Sequence, residues 1–161
     1  MIETAWVKEA RKYIGVREIP GVRHETKILA WWKAIKRGGI KTDEVPWCAA
    51  FVGAMLEESG IVSSRYESAK SYLTWGEALS KPYYGCIVVF TREGGGHVGF
   101  VVGKDATGRL MVLGGNQGDK VSIAPFSLAR VSGYRWPKAA LFTGSDLPLL
   151  ASTAPDSMNE A

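Results

Sequence analysis

The chain has 161 residues, 46% of them hydrophobic, enough for one compact domain with its own core. No apolar run reaches the roughly 18 to 20 residues that cross a bilayer, which argues against stable membrane insertion. The formal charge of +4 divides into +7 for residues 1–143 and −3 for residues 144–161. Residues 1–41 alone hold ten basic and four acidic side chains, which suits either a solvated basic face or an anionic partner: nucleic acid, anionic lipid or a bacterial envelope. No zinc-finger, stacking-aromatic or phosphate-loop pattern supports nucleic acid as that partner.

The N-terminus, "MIETAWVKEARKY", has no charged-then-apolar signal and no small-residue cleavage site. The product is therefore expected to be made in the cytoplasm without a signal peptide. "TAWVKEARKYIG" sets Trp6, Ala10, Tyr13 and Ile14 on one helical face and stops at Gly15. "ETKILAWWKAIKRGG" does the same with Ile28, Leu29, Trp32 and Ile35. A third helix is expected over "EVPWCAAFVGAMLEESG", with Pro46 at its first position and Cys48 in its first turn. "SAKSYLTWG" predicts a short fourth.

From residue 85 the period changes to two, in the β-branched runs "CIVVF", "HVGFVVG", "RLMVLGG", "KVSIAPF" and "VSGYRW". Short turns join them, so an antiparallel meander is expected. Helices followed by such a sheet make an α+β domain over residues 1–143. The end, "GSDLPLLASTAPDSMNEA", has no period and is expected to be a flexible tail over 144–161.

Two cysteines do not imply a disulfide framework, and Cys48, Cys86, His24 and His97 lack the close ligand pairs of a structural zinc site. Cys48 is different in kind, because a helix N-terminus favours a thiolate through its N–H groups and dipole. Asp43 and Glu44 work against it, so a cationic base is also required, and only two histidines exist. His24 lies in a polar connection and reads as a surface or capping residue. His97 opens an apolar strand behind "EGGG". If strands 97–103 and 109–116 pair symmetrically about the turn at residues 105–108, Val101 faces Val112, Gly99 faces Gly114 and His97 faces Asn116. The Asn116 carboxamide would then fix the tautomer of the ring, and the two glycines would let the helix end carrying Cys48 approach. A slip of one residue would bring Gln117 opposite instead.

The series "PWCAAFV", "GCIVVF", "GHVGFVVG", "LGGNQ" and "YRWP" resembles the papain-like cysteine hydrolases of bacterial cell walls, of the NlpC and CHAP types. The likeness runs from about Trp6 to Pro137 and is greatest to a subgroup common among phage endolysins. What it implies is a papain-like fold and a cysteine peptidase or amidase acting on peptidoglycan. Cys48 would be the nucleophile, His97 the base and Asn116 the residue that orients it, with no cofactor and no metal. Cys86 stands where the NlpC type usually has an acidic residue and is taken as structural. Thr42 stands where papain has a glutamine donor, which leaves the second oxyanion donor unassigned. Trp31 and Trp47 are candidate groove residues, but core or half-buried positions are the expectation for them. Such an enzyme would act as a monomer in the periplasm or on the wall after release. A secreted toxin with the same chemistry would also need an immunity protein. A Cys–His acyltransferase would be expected to carry a membrane anchor, and a wall-binding module would have no need of the thiol.

Overall fold

The computed structural model describes residues 2–19, 25–41, 46–92 and 95–151, except for the side chain of residue 92. The expectations for His24, Thr42, Asp43 and Glu44 lie outside these residues.

Helix α1 spans Ala5–Arg11 and buries Trp6, Val7 and Ala10. Thr4 caps it, its hydroxyl accepting from Val7 N at 3.3 Å. Helix α2, Thr26–Ala34, buries Ile28, Trp31 and Trp32, and the Glu25 carboxylate caps it through Lys27 N. Helix α3, Cys48–Glu58, buries every residue from Cys48 to Leu56. An all-apolar face of that kind makes it the central helix of the core. The short fourth helix is a 3-10 turn, Ala69–Thr74, started by the Ser68 hydroxyl. No helix of the described residues is long and apolar enough to cross a membrane.

Six antiparallel strands follow: β1 (Glu77–Leu79), β2 (Ile87–Arg92), β3 (Gly95–Lys104), β4 (Leu110–Gly114), β5 (Ser122–Phe126) and β6 (Val131–Trp136). Their order in the sheet is β1-β6-β2-β3-β4-β5. Only β2 to β5 form the expected meander. The last strand returns across the sheet to lie between β1 and β2, pairing Tyr134 with both Leu79 and Val88. Phe100 on β3 meets Phe51 of α3 at 6.5 Å between ring centres, joining helix and sheet in one core. At the other end of the helical layer the Trp6 indole N–H donates to Gly85 O at 2.7 Å, and its ring meets Trp136 edge-on at 5.3 Å.

The β3–β4 turn is organised by one carboxylate. Asp105 accepts from Thr107 N, Thr107 Oγ1, Arg109 N and Arg109 Nε. Burial pushes its carboxyl upward, but these four donors outweigh burial and hold it at about 2.

The expected free tail begins as a docked strap. Tyr84 N donates to Ser145 O, Lys104 N to Pro148 O and Leu150 N to Lys104 O, at 2.8 to 3.0 Å. Leu147 and Leu150 pack on the core, and the Leu150 side chain lies where a Cβ on Gly103 would be. Docking here uses backbone pairing and a glycine gap, neither of which needs a hydrophobic period. Residues 152–161 of the expected tail lie outside the described residues.

Candidate active site

Cys48 is the first residue of α3, two positions nearer the helix start than a proline-first helix would give. Trp47 is the cap residue, with φ −116° and ψ 18°, and the first helical bond runs from Phe51 N to Trp47 O. The N–H groups of Cys48, Ala49 and Ala50 therefore stand ahead of that bond, at the positive end of the helix. Cys48 is 5% exposed. Trp47 is wholly buried, its indole N–H donating to Glu18 Oε1 at 3.0 Å and its ring tilted against Trp31 at 5.8 Å. Trp31 in turn meets Phe51 and Tyr13 edge-on. Both tryptophans thus belong to the core beside the helix start, as the core reading of them expects, and neither lines a groove.

His97 lies on β3 opposite Phe90 of β2 and is wholly buried. Its ring is nearly parallel to Phe126, at 5.3 Å and 9°, and to Phe90, at 6.2 Å and 20°. The two phenyl rings stack on each other at 4.5 Å. The guanidinium of Arg130 covers both, 5.5 and 5.8 Å from the ring centres. A parallel aromatic wall restricts rotation of the imidazole and keeps water from one of its faces. Sequence patterning gave no sign of this wall, because its members come from three separate strands.

The residue hydrogen-bonded to His97 Nε2 is Gln117, whose Oε1 lies 2.9 Å away. The expected register holds at Phe100–Leu113 and Val101–Val112, but a bulge then moves Gly103 opposite Met111. At the other end β4 stops at Gly114, so no ladder pair of His97 with Asn116 forms. Asn116 instead adopts a left-handed backbone, φ 60°, which an asparagine tolerates better than most residues. It turns the chain so that the next side chain passes back beneath the strand to the imidazole. The orienting bond expected from Asn116 is therefore made to Nε2 by Gln117, while Asn116 stays buried in the same loop.

The glycines do serve approach, at a shifted position. A Cβ on Gly114 would lie 2.3 Å from Gln117 Oε1 and 3.3 Å from His97 Nε2. A Cβ on Gly115 would lie 2.7 Å from both Phe51 Cβ and the Trp47 ring. Two consecutive residues thus touch the imidazole and its amide on one side and the residues flanking Cys48 on the other. The loop that follows is fixed by Gln117 N to Lys120 O, Glu18 N to Asp119 O and Val121 N to Val16 O.

Cys86 is set apart from this chemistry. It is wholly buried, and burial pushes its thiol up to about 12, so it carries no thiolate at neutral pH. Neither cysteine is joined in a disulfide.

A family model, that of the CHAP domain, matches residues 40–116. The match begins just ahead of α3 and ends inside the site loop, so it takes in Cys48, His97 and Asn116. No curated protein matches the chain.

Proposed function

The chain carries a CHAP domain, and on that premise we propose that it is a cysteine hydrolase cutting an amide bond of the peptidoglycan peptide. A CHAP domain implies peptidoglycan hydrolase or amidase activity in the broad sense. The observation that carries the finer reading is the thiol at the first position of α3 together with a buried imidazole whose Nε2 is held by an amide, both within the matched segment.

In this reading His97 takes the Cys48 proton and the thiolate attacks the peptide carbonyl, forming the S–C bond of a tetrahedral intermediate. The N–H of Cys48, at the helix start, helps hold the oxyanion. The intermediate collapses to a thioester as the amine leaves with the proton from the imidazolium. Water then gives a proton to His97 as it attacks the thioester, the C–S bond breaks to release the acid, and the imidazolium returns its proton to the Cys48 sulfur. The basic first 41 residues favour an anionic wall as substrate. The biological role we assign is that of an endolysin-type monomer acting on the wall after release, because the motif series resembles that subgroup.

The experiment is digestion of isolated peptidoglycan by the purified protein, with mass spectrometry of the soluble fragments. New amine and carboxyl ends in equal number, absent with Cys48→Ala, are expected. Fragments that carry only new reducing sugar ends, or equal release by Cys48→Ala, would overturn the assignment.

A further inference from the structure

A cavity of about 690 Å³ opens at the far end of the β3–β4 hairpin from His97. Lys104 ends β3 and His97 lies near its start, which sets the cavity roughly 20 Å from the imidazole at about 3.3 Å per residue. Leu110 of β4, buried, and Leu128, exposed at the lip, supply apolar lining together with Leu147 of the strap. One wall is therefore built by the strap, which Lys104 N holds through Pro148 O. Ser80, Lys81, Lys104, Tyr134 and Asp146 supply the polar groups. Among the described residues none of these five side chains makes a hydrogen bond or an ion pair, whose members all lie elsewhere. The Lys81 ammonium lies over the Tyr83 ring at 5.1 Å, which holds it near the rim. Convergent polar groups around an apolar lining, in a volume of this size, are the make-up of a ligand site.

Resting on the hydrolase reading above, we propose that this cavity is a second, non-catalytic site for the wall peptide, taking a segment with two free carboxylates and one free ammonium group. Two ammonium groups and one carboxylate at the rim call for the opposite set in the ligand. A γ-glutamyl unit joined to diaminopimelate has that set: the glutamyl α-carboxylate, and the carboxylate and ammonium at the far end of diaminopimelate. Lysine in place of diaminopimelate keeps the ammonium and loses one carboxylate. The hydroxyls of Ser80 and Tyr134, which donate and accept, suit the amides between these charges. The methylene chains of the ligand lie along the three leucines. A segment held here does not deliver its own bonds to Cys48, because roughly 20 Å takes about six extended residues. The site instead tethers a neighbouring peptide of the same polymer and raises the local concentration of cleavable bonds at the thiol.

Binding can be read without hydrolysis. The probe is N-acetyl-L-Ala-γ-D-Glu-diaminopimelate amidated at the L-centre, which carries two carboxylates and one ammonium. Titrated into 15N-labelled Cys48→Ala protein, it should shift the amide signals of Ser80, Lys81, Lys104, Gly108, Leu110 and Leu147. The lysine analogue of the probe, and the variants Lys81→Glu and Lys104→Glu with the probe itself, should each bind about three- to tenfold more weakly. With Cys48 intact, the two variants should digest insoluble wall about three- to tenfold more slowly while keeping wild-type kcat on the soluble probe. Shifts confined to the surroundings of Cys48 and His97, or equal binding of the two peptides, would overturn the proposal. Digestion of wall by the wild type without shifts at the cavity would sink this site alone. Shifts at the cavity in a protein that digests nothing would uphold the site and sink the hydrolase reading.

Discussion

A single methyl group added at Gly114 should separate the geometry of the site from the stability of the sheet. Its carbon would lie 2.3 Å from Gln117 Oε1 and 3.0 Å from Gln117 Cδ. An ordinary carbon–oxygen contact is about 3.2 Å or longer, so the amide oxygen must retreat by about 1 Å. It cannot do so freely, since the amide nitrogen is tied to Val112 O and Ser122 O. Either the His97 bond or the carbonyl bonds must break, at about 1–3 kcal/mol for a buried polar group left unmatched. Gly99→Ala is the matched control. Its Cβ would meet Val112 Cγ1 at 2.5 Å and Leu113 O at 3.2 Å, overpacking the same face without reaching the amide. Both variants should lose about 1–3 kcal/mol of stability. Assayed well below its melting temperature, Gly99→Ala should keep near-wild-type turnover, whereas Gly114→Ala should fall by about ten- to a hundredfold. Equal turnover in the two variants, at equal loss of stability, would refute the link between this amide and the reaction.

Cys48→Ala should abolish release of wall fragments, whereas Cys86→Ala should keep most of it and lose about 1–2 kcal/mol to a small cavity, read by thermal melts and fragment assays together. A chain ending after Thr143 should lose about 2–3 kcal/mol, because three backbone bonds and the contacts of Leu147 and Leu150 go with the strap. A chain ending after Ala151 keeps them and should melt close to the full protein. Burial and the hydrogen bond that its protonated carboxyl donates to the Glu9 carboxylate push Glu58 up to about 7, while the Lys12 bond holds Glu9 low. The folded value exceeds the unfolded 4.5, so this contribution is full below about 4.5 and is lost as pH rises through about 7. Glu58→Gln should remove that loss, and its melting temperature should gain on wild type between pH 5 and 8, modestly because the site is solvent-screened.

Much of this could be seen in the residues. The three helices follow from apolar positions spaced by three and four, and β2 to β6 from β-branched runs of period two. The start of α3 was misplaced because Pro46 fits a first helical position locally, while the chain geometry is set by Trp47 buried against Trp31. Strand β1 escaped because its three residues lie at the sheet edge, two of them exposed, and carry no apolar alternation. The place of β6 is a long-range pairing that no local pattern encodes. The places of Cys48 at a helix start and of His97 on a strand were legible in the residues. Their neighbour was not, because extending the strand register past Gly114 assumed extended backbone where Asn116 turns left-handed. One residue in an uncommon conformation moved the bond to Nε2 from the position expected to the position beside it.

The late return of β6 bears on how the protein comes to be folded. Strand β1 pairs only with β6 in the sheet, and β6 supplies the second ladder of β2. Until residues 131–136 have left the ribosome, β2 presents an open apolar edge and β1 has no sheet to join. The meander from β2 to β5, which carries the imidazole and its amide, can form earlier from hairpins of short loop length. Closing the sheet requires contacts between residues more than 50 positions apart, Leu79 with Tyr134 among them, which slows folding relative to a simple meander. A growing or truncated chain that lacks β6 is thus an aggregation hazard even though the strands carrying His97 and its amide partner are already paired. The final strand is the step that closes the sheet over that open edge.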